Sequence, residues 1–240
     1  MDYYYFNDKR YPIKVTTETT IITGLTFQSN GTLWENDSIK QFFNEIPNEK
    51  VNIVDIGAQS GLYTLYAKYL PKAHIYSYEP FSTTFKLLND NILLNNISNV
   101  TTINKAISDK IGTAILSVCD DHNGLHTLES YPLRFNNKTS LSVECTTLDA
   151  EFYDKEIPIH YIKIDTEGWE YYILLGGIKT IKKYKPVIQL EWNLTNMEQC
   201  NVIPEEMANL LKKLGYIESS MADGEKLFIP WPQYTLETLI

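Results

Sequence analysis

The sequence lacks the features that mark secreted, zinc-binding or membrane-spanning proteins. It has only three cysteines, Cys119, Cys145 and Cys200, and no Cys-x-x-Cys pair, so neither a disulfide framework nor a zinc site is indicated. No apolar run approaches the length of a membrane span, and the N-terminus has neither a basic start nor an apolar segment of signal-peptide length. We therefore expect a cytoplasmic protein with no membrane partner.

An excess of positive charge is also missing. The formal net charge is −9, with 21 Lys and Arg residues against 30 Asp and Glu residues. Binding to nucleic acid depends on basic patches that neutralise phosphates, so we expect no nucleic-acid partner. The one notable cluster of lysines, between residues 179 and 185, is expected to be the solvated end of a helix.

The 240 residues, of which 43% are hydrophobic, are enough for one large domain with its own core. From residue 51 onwards, short apolar runs alternate with segments of helical spacing, which predicts an open and mostly parallel α/β sheet. Strands are predicted near 51–56, 74–79, 100–104, 161–165, 187–191, 216–219 and 226–230, and helices near 61–70, 82–95, 204–214 and from 169.

Two regions fall outside this alternation. Residues 112–147 contain two strand-like runs separated by polar, turn-rich sequence, which predicts a small antiparallel insertion. Residues 1–48 are expected to form an N-terminal extension or lid, with a short helix beginning near Asn36. Residues 49–240 are expected to form the main domain.

One further absence bears on the cofactor. The dinucleotide-binding pattern Gly-x-Gly-x-x-Gly is missing, which disfavours a nicotinamide oxidoreductase. Instead, Asp55 lies at the end of the first strand, and Gly57 and Gly61 follow with three residues between them. Enzymes that use S-adenosylmethionine (SAM) have such an acid-x-Gly-x-x-x-Gly turn. Asp55 could bind the ammonium group of the methionine part. The amides of the turn, including those of Ala58 and Gln59, could bind its carboxylate. The alternative is an ordinary βα turn.

Two later segments suit the rest of such a cofactor. Glu79, followed by Pro80, ends the second strand at about the 20-residue offset at which an acid meets ribose hydroxyls. After the third strand, the backbone of Ala106 and Ile107 and the hydroxyl of Ser108 could read the edge of an adenine. A charged or polar surface loop is the alternative in both places.

Acidic residues follow the two later strands of the predicted parallel sheet. Lys163 and Asp165 have the same parity, so they point to one side of their strand, and Asp165 lies at its carboxyl end. Glu191 ends the next strand. Two carboxylates on adjacent strand ends could orient a substrate hydroxyl, act as a base or hold a divalent metal such as Mg²⁺. Glu167 and Glu170 have an ordinary alternative, because acids are favoured in the first turn of a helix.

A loop between residues 119 and 126 contains two aspartates and two histidines. His126 or His122 could shuttle protons, because the pKa of histidine lies near neutral pH. A solvated loop histidine is the alternative.

These motifs, in this order, resemble the FkbM family of SAM-dependent methyltransferases. The matching segments are 54–64, 78–80, 104–109, 147–149, 162–170 and 187–191. The Lys-Ile-Asp-x-Glu-Gly pattern at 163–168 is specific to the family, whereas the glycine turn is shared by most SAM methyltransferases. Gln59 departs from the asparagine that the family often has there, but both side chains are amides.

The resemblance implies a Rossmann-like class I methyltransferase fold with a seven-stranded, mostly parallel sheet and an antiparallel closing strand. It also implies oxygen methylation, since family members act on sugar hydroxyls of glycans and on hydroxyls of macrolide-type natural products. Asp55, Gly57, Gly61 and Glu79 are implied to hold SAM, and Asp165 to face the substrate. We therefore predict an O-methyltransferase for a sugar or glycan hydroxyl, with Asp165 as base or metal ligand and Glu191 or His126 assisting.

Other functions remain open on sequence grounds. The acceptor could be another small molecule or a protein side chain, or the chain could bind SAM or a sugar without turnover. The presence of Lys163, Asp165 and Glu191 together argues against a module without turnover. The aromatic cluster at residues 3–6 is compatible with a homodimer contact or with core packing.

Overall fold

The computed structural model describes residues 2–5, 12–16, 36–119, 126–128, 138–220 and 224–231. The strands are β1 Asp2–Tyr5, β2 Pro12–Val15, β3 Asn52–Ile56, β4 His74–Tyr78, β5 Val100–Ile103, β6 Ala106–Ile107, β7 Gly112–Cys119, β8 Lys138–Thr146, β9 Tyr161–Ile164, β10 Val187–Glu191, β11 Tyr216–Ser220 and β12 Glu225–Pro230. The α-helices are α1 Asn36–Asn44, α2 Ser82–Leu94, α3 Glu170–Leu175, α4 Ile178–Tyr184, α5 Leu194–Gln199 and α6 Pro204–Lys213.

The central sheet has seven strands in the order β11-β12-β10-β9-β3-β4-β5. The five strands from β10 to β5 are parallel, and β12 runs antiparallel to both of its neighbours. The chain builds outward from β3 through β4 to β5, and β9 then pairs with the opposite edge of β3. Open α/β sheets bind ligands at such a change of direction, beside the carboxyl ends of the strands. The predicted fold class is confirmed, including its antiparallel strand.

The strands form where apolar residues can be covered on both faces of the sheet. In β3, Val54 and Ile56 face one core cluster while Ile53 faces the other, and all three are almost completely buried. Near-continuous apolar runs are typical of parallel strands that have helices on both faces. Asp55 shares the face of Ile53, because side chains alternate along a strand.

The segment after the glycine turn differs from the sequence-based expectation. A helix is predicted near 61–70, but the structure has a 3₁₀ helix over Thr64–Tyr69. Thr64, Leu65, Tyr66 and Ala67 are all buried, and the hydroxyl of Thr64 bonds to groups on the sheet. This short segment lies close against the strands on a tighter helical path, so the segment that follows the glycine turn is not an α-helix.

The other helices are close to their predicted positions, but the helix predicted from 169 is divided into α3 and α4, and one helix is added. Helix α6 is followed by Leu214 and then by Gly215 at a φ of 82°, as expected for a glycine after a C-cap. Helix α5 was not predicted from the sequence. Its cap is Asn193, whose side chain accepts hydrogen bonds from the amides of Thr195 and Asn196. Asn193 is thus an ordinary N-cap signal that brings Asn196 to the end of β10.

The predicted insertion is present as a second, three-stranded sheet. Strands β7 and β8 pair antiparallel, and the short β6 pairs with β8 in the parallel direction. Near the N-terminus, β1 and β2 form an antiparallel pair, while Ile39 and Phe42 of α1 pack in the same core cluster as Ile53. The division at residue 48 stays a prediction. In the described part of the chain, no helix has the length and apolar character needed to cross a membrane.

Candidate active site at the carboxyl ends of the sheet

Asp55 is buried at the end of β3, where only part of its carboxylate is satisfied. The hydroxyl of Thr64 lies 2.6 Å from Asp55 Oδ2 and 2.7 Å from the hydroxyl of Ser77. Asp55 Oδ1 is buried, and no described residue donates a hydrogen bond to it. Burial raises the pKa of Asp55, which the nearby charge of Lys163 opposes. The oxygen without a partner fits a cationic donor such as an ammonium group.

The glycine turn joins the ends of β3 and β9. Gly57 has a φ of 78°, and a Cβ built on it would lie 1.8 Å from the carbonyl oxygen of Asp165. Glycine is therefore required both by the backbone angle and by the close approach of the neighbouring segment. Gly61, at a φ of 104°, is likewise restricted, because its Cβ would lie 2.8 Å from Leu88 Cδ1. The turn thus fixes the position of Asp165 relative to Asp55.

The amides of the turn already donate within the protein. Those of Gly57 and Ala58 bond to the carbonyl of Tyr78, at 3.1 and 3.0 Å. The amide of Gln59, a residue with a φ of 49°, bonds to Glu79 Oε2 at 2.9 Å. The predicted contact between these amides and a ligand carboxylate would require some of these bonds to be exchanged.

Glu79 sits at the end of β4 and collects three donors from its own chain. Besides Gln59, the amide of Phe81 and the hydroxyl of Thr84 bond to Glu79 Oε1, at 2.8 and 3.0 Å. Burial raises the pKa of Glu79 to about 7, although these hydrogen bonds lower it. Oε1 already has two donors and Oε2 has one, so Oε2 is the oxygen best able to accept a ribose hydroxyl.

The predicted adenine-binding segment lies next to this glutamate. Asn104 donates to the carbonyls of Glu79 and Pro80, at 2.7 and 3.0 Å, and so ties the end of β5 to the end of β4. Ala106 and Ile107 are buried in β6, and the amide of Ser108 bonds to Thr146. The Ser108 hydroxyl accepts from the indole of Trp169 at 3.0 Å. Trp169 and Phe81 belong to one apolar cluster, which supplies aromatic surface beside this segment.

Lys163, which is buried, and Asp165, which is partly exposed, form an ion pair at the end of β9. Their Nζ and Oδ2 atoms are 3.0 Å apart, and the Lys163 side chain is 5% exposed. The ammonium also lies 4.7 Å from the ring centre of Tyr63, and Lys163 pairs in register with Asp55 on β3. One buried cation therefore stands between Asp55 and Asp165. This geometry makes Lys163 a positioning residue for both carboxylates.

A second group of acids completes this side of the site. Asp165, Glu167 and Glu191 each offer a carboxylate oxygen, and these atoms lie within 4.8 Å of one another. Asn196 Nδ2 donates to Glu167 Oε2 at 2.8 Å and to both oxygens of Glu191 at 3.1 and 3.3 Å. Burial, followed by the charges of Asp165, Glu167 and Glu170, raises the pKa of Glu191 to about 10. Its surroundings therefore favour the protonated form of Glu191.

Glu167 and Glu170 have different surroundings despite their proximity in sequence. Glu170 is buried and accepts from the amide and hydroxyl of Thr166, both at 2.8 Å, so it closes the turn before α3. Glu167 precedes the helix, has a φ of 57° and turns its side chain towards Asn196. The ordinary helix-start interpretation fits Glu170 but not Glu167.

His126 lies away from the strand ends in sequence but close to them in space. Its ring packs edge-on against Phe81 with centroids 4.8 Å apart, which places it beside the residues that follow β4. The adjacent Thr127 hydroxyl lies 3.6 Å from the thiol of Cys200. His122 lies outside the described residues, and a catalytic role for either histidine stays a prediction.

The structure thus gathers most of the predicted site residues at one edge of the sheet. It adds three that were not among them: Thr64, Glu167 and Asn196. Thr64 could not be recognised because its role depends on contacts across β3 and β4. Asn196 could have been found from the sequence, because Asn193, two residues after the end of β10, is a typical helix N-cap.

The model of the methyltransferase FkbM domain matches residues 55–218, well over half of the chain. No curated protein sequence matches. Among solved structures, the methyltransferase FkbM from Methylobacillus flagellatus KT is similar with 14% identity and a TM-score of 0.52, over 76% of this chain and 44% of that one. The chain therefore spans less than half of the length of that protein.

Two further structures have lower scores. A putative caffeoyl-CoA O-methyltransferase from Staphylococcus aureus has 13% identity and a TM-score of 0.49, over 81% of both chains. SMU.1697c, a putative methyltransferase from Streptococcus mutans solved with SAH, has 10% identity and a TM-score of 0.46, over 79% of this chain and 93% of that one.

Proposed function

Because the chain belongs to the methyltransferase FkbM domain family, we propose that it is a SAM-dependent O-methyltransferase whose acceptor is a sugar or glycan hydroxyl. The observation that carries the proposal is the contact between Gly57 and Asp165, whose backbones touch. This contact joins the turn expected to hold SAM to the carboxylate expected to face the acceptor.

The residues around the turn fit the methionine and ribose parts of SAM. Asp55 Oδ1 is buried, and no described residue donates to it, which suits the methionine ammonium. Glu79 Oε2 has room for a further donor, which suits a ribose hydroxyl. The cofactor supplies an electrophilic methyl group bound to a sulfonium, and the task of the protein is to align it with the acceptor oxygen.

Asp165 is the group best placed to receive the acceptor proton. Its side chain is 24% exposed, so a substrate can reach it, while Lys163 holds one of its oxygens at 3.0 Å. As the acceptor oxygen bonds to the methyl carbon, the carbon–sulfur bond breaks, its electron pair stays on sulfur and the hydroxyl proton passes to Asp165. Burial and the neighbouring acids raise the pKa of Glu191, so it is less suited than Asp165 to act as the base.

The arrangement of acceptors supports a polyhydroxylated substrate. Asp165, Glu167 and Glu191 offer oxygens within 4.8 Å of one another, and adjacent hydroxyls of a sugar can donate to several of them. A cytoplasmic location, a homodimer, the absence of nucleic-acid and membrane partners, and residues 1–48 as a separate extension or lid belong to the same proposal.

The test is a calorimetric titration followed by a transfer assay. The full chain is titrated with SAM, SAH and NAD, and the chain with methyl-labelled SAM is then offered monosaccharides, oligosaccharides, phenols and peptides. We expect binding of SAM and SAH but not NAD, and label in an alkali-stable ether on a sugar. A chain that binds no SAM, or binds it equally after Asp55→Ala and Glu79→Ala, contradicts the proposal.

The remaining candidates are separated by the same experiment. Label found only in a phenol or a peptide would indicate a different acceptor class. Binding of SAM without any transfer in a single turnover would favour a binding module.

A further inference from the structure

A row of polar side chains crosses one buried face of the central sheet beside the candidate active site. Asp55 on β3 is the register partner of Lys163 on β9, which in turn is the partner of Gln189 on β10. Residues paired in register lie side by side on the same face of a sheet. All three are buried, and buried polar groups are costly unless hydrogen bonds satisfy them. The bonds of Gln189 therefore show what this end of the row holds in place.

Gln189 holds the hydroxyl of Tyr63. Its Nε2 atom donates to the Tyr63 hydroxyl at 2.6 Å and to Glu225 Oε2 on β12 at 3.1 Å, and all three residues are buried. The carboxylate of Glu225 fixes which way the amide points, because only Nε2 can donate to it. Gln189 has this orientation although its Oε1 is then buried with no donor among the described residues. The hydroxyl end of Tyr63 is thereby tied to β10 and, through Gln189, to β12.

The ring of Tyr63 covers the ammonium of Lys163, with Nζ 4.7 Å from the ring centre. A cation over the face of an aromatic ring is attracted to it, and the attraction is stronger when both groups are shielded from water. Phe42 of α1 packs edge-on against the same ring, with centroids 5.8 Å apart. The ring and Asp165 Oδ2, which lies 3.0 Å from Nζ, together hold the ammonium.

We propose that Tyr63, held by Gln189, is a positioning residue that keeps the Lys163 ammonium against Asp165 during methyl transfer. Tyr63 lies two residues after Gly61 and directly before the 3₁₀ helix, so it belongs to the segment that follows the turn expected to hold SAM. It acts through Lys163. This role rests on the proposed methyl transfer, whereas the contact between the ring and the ammonium does not and is measured separately.

The test is a double-mutant cycle on the full chain, in which Tyr63→Leu is made with and without Lys163→Met. The measured quantity is the single-turnover rate of methyl transfer from labelled SAM to an oligosaccharide. Tyr63→Leu alone should lower this rate about tenfold, because the ammonium loses the ring that holds it against Asp165. In the Lys163→Met chain, the same substitution should change the rate by less than about twofold.

Tyr66→Leu is the matched control for lost packing. Tyr66 is also buried and lies three residues further along the same segment, but its ring stacks on that of Phe43 with centroids 4.3 Å apart. Any effect of Tyr66→Leu should therefore be the same with and without Lys163→Met.

The hydrogen bond to Gln189 is tested by variants that keep the ring. Tyr63→Phe and Gln189→Met each remove this bond, so each should lower the rate only about threefold, and the double variant no more than either alone. A loss after Tyr63→Phe as large as that after Tyr63→Leu would overturn the role of the ring. Losses that add in the double variant would overturn the role of Gln189.

Urea denaturation of the same variants keeps this proposal apart from the proposed function. Tyr63→Leu should lower the free energy of unfolding less in the Lys163→Met chain than in the unaltered chain, because the favourable contact is already gone there. An equal loss of stability, or an equal fall in rate, in the two chains would overturn the proposal. A chain that transfers no methyl group contradicts the proposed function, and the difference in stability then still decides whether Tyr63 holds Lys163.

Discussion

The carboxyl ends of β3 and β4 differ from those of β9 and β10 in how their acids are satisfied. Glu79 accepts three hydrogen bonds from groups of its own chain, and Asp55 accepts one from Thr64. On the other side, the amide of Asn196 donates to both Glu167 and Glu191, and these acids lie close to Asp165. We call Asp55 and Glu79, with the donors around the glycine turn, the cradle; the acids at β9 and β10 lie within 4.8 Å of one another, and Asp165 among them is suited to receive a proton.

We expect the largest difference between the SAM side (β3 and β4) and the acceptor side (β9 and β10) from the substitution Asp165→Asn. Removing the proton acceptor should lower kcat by about 10²- to 10⁴-fold, because general bases contribute that much. Affinity for SAM should change by less than about threefold, since Asp165 lies outside the cradle formed by Asp55 and Glu79. Single-turnover transfer and calorimetry measure the two quantities. A rate close to that of the unaltered chain would show that Asp165 does not take the proton.

The contact that joins the two sides can be broken by Gly57→Ala. The new Cβ would lie 1.8 Å from the Asp165 carbonyl oxygen, and alanine is also strained at a φ of 78°. We expect the free energy of unfolding to fall by about 3 kcal/mol, measured by urea denaturation. Gly224→Ala is the matched control, because Gly224 has a φ of 81° but nothing within 4 Å of its Cβ position. Equal losses in the two variants would mean that the close approach is unimportant.

The cradle itself is tested by Glu79→Gln. The substitution replaces one acceptor oxygen with an NH₂ group that cannot accept a hydrogen bond, so SAM affinity should fall about tenfold. At saturating SAM, the rate of transfer should stay within about threefold, because Glu79 does not face the acceptor. Glu198→Gln, a substitution at an exposed position of α5, is the control. If the rate of methyl transfer fell while the affinity for SAM stayed the same, Glu79 would act on the acceptor rather than on SAM.

A further effect, which belongs to the side of β3 and β4, is a pH dependence of the free energy of unfolding. The pKa of Glu79 is raised from 4.5 to about 7, so the folded state holds this proton more tightly than the unfolded state. Stability from this group is present below pH 4.5 and is lost as the pH rises towards 7, by about 3 kcal/mol at most.

The variant Glu79→Gln lacks this titration and provides the measurement. Its free energy of unfolding minus that of the unaltered chain should increase between pH 5 and pH 8 in urea denaturation. A difference that stays constant over this range would show that Glu79 does not titrate there.

Much of the site could be predicted because it follows local patterns. The strand ends, the glycine turn and the acids at 55, 79, 165 and 191 are local features, and parallel strands bring their carboxyl ends to one edge. Glu167 and Thr64 could not be assigned, because their partners are distant in sequence. The 3₁₀ helix was missed for the same reason, since Thr64 bonds to Asp55 and Ser77 on the sheet.

The sequence by itself determined the alternation of elements, and with it the parallel sheet and the set of acids at its carboxyl edge. Only the tertiary structure decided which acids are held by their own chain and which face one another. The reason is that hydrophobic periodicity acts over a few residues. The donors that satisfy a carboxylate come from segments such as α2 and α5, which are brought close only when the sheet has formed.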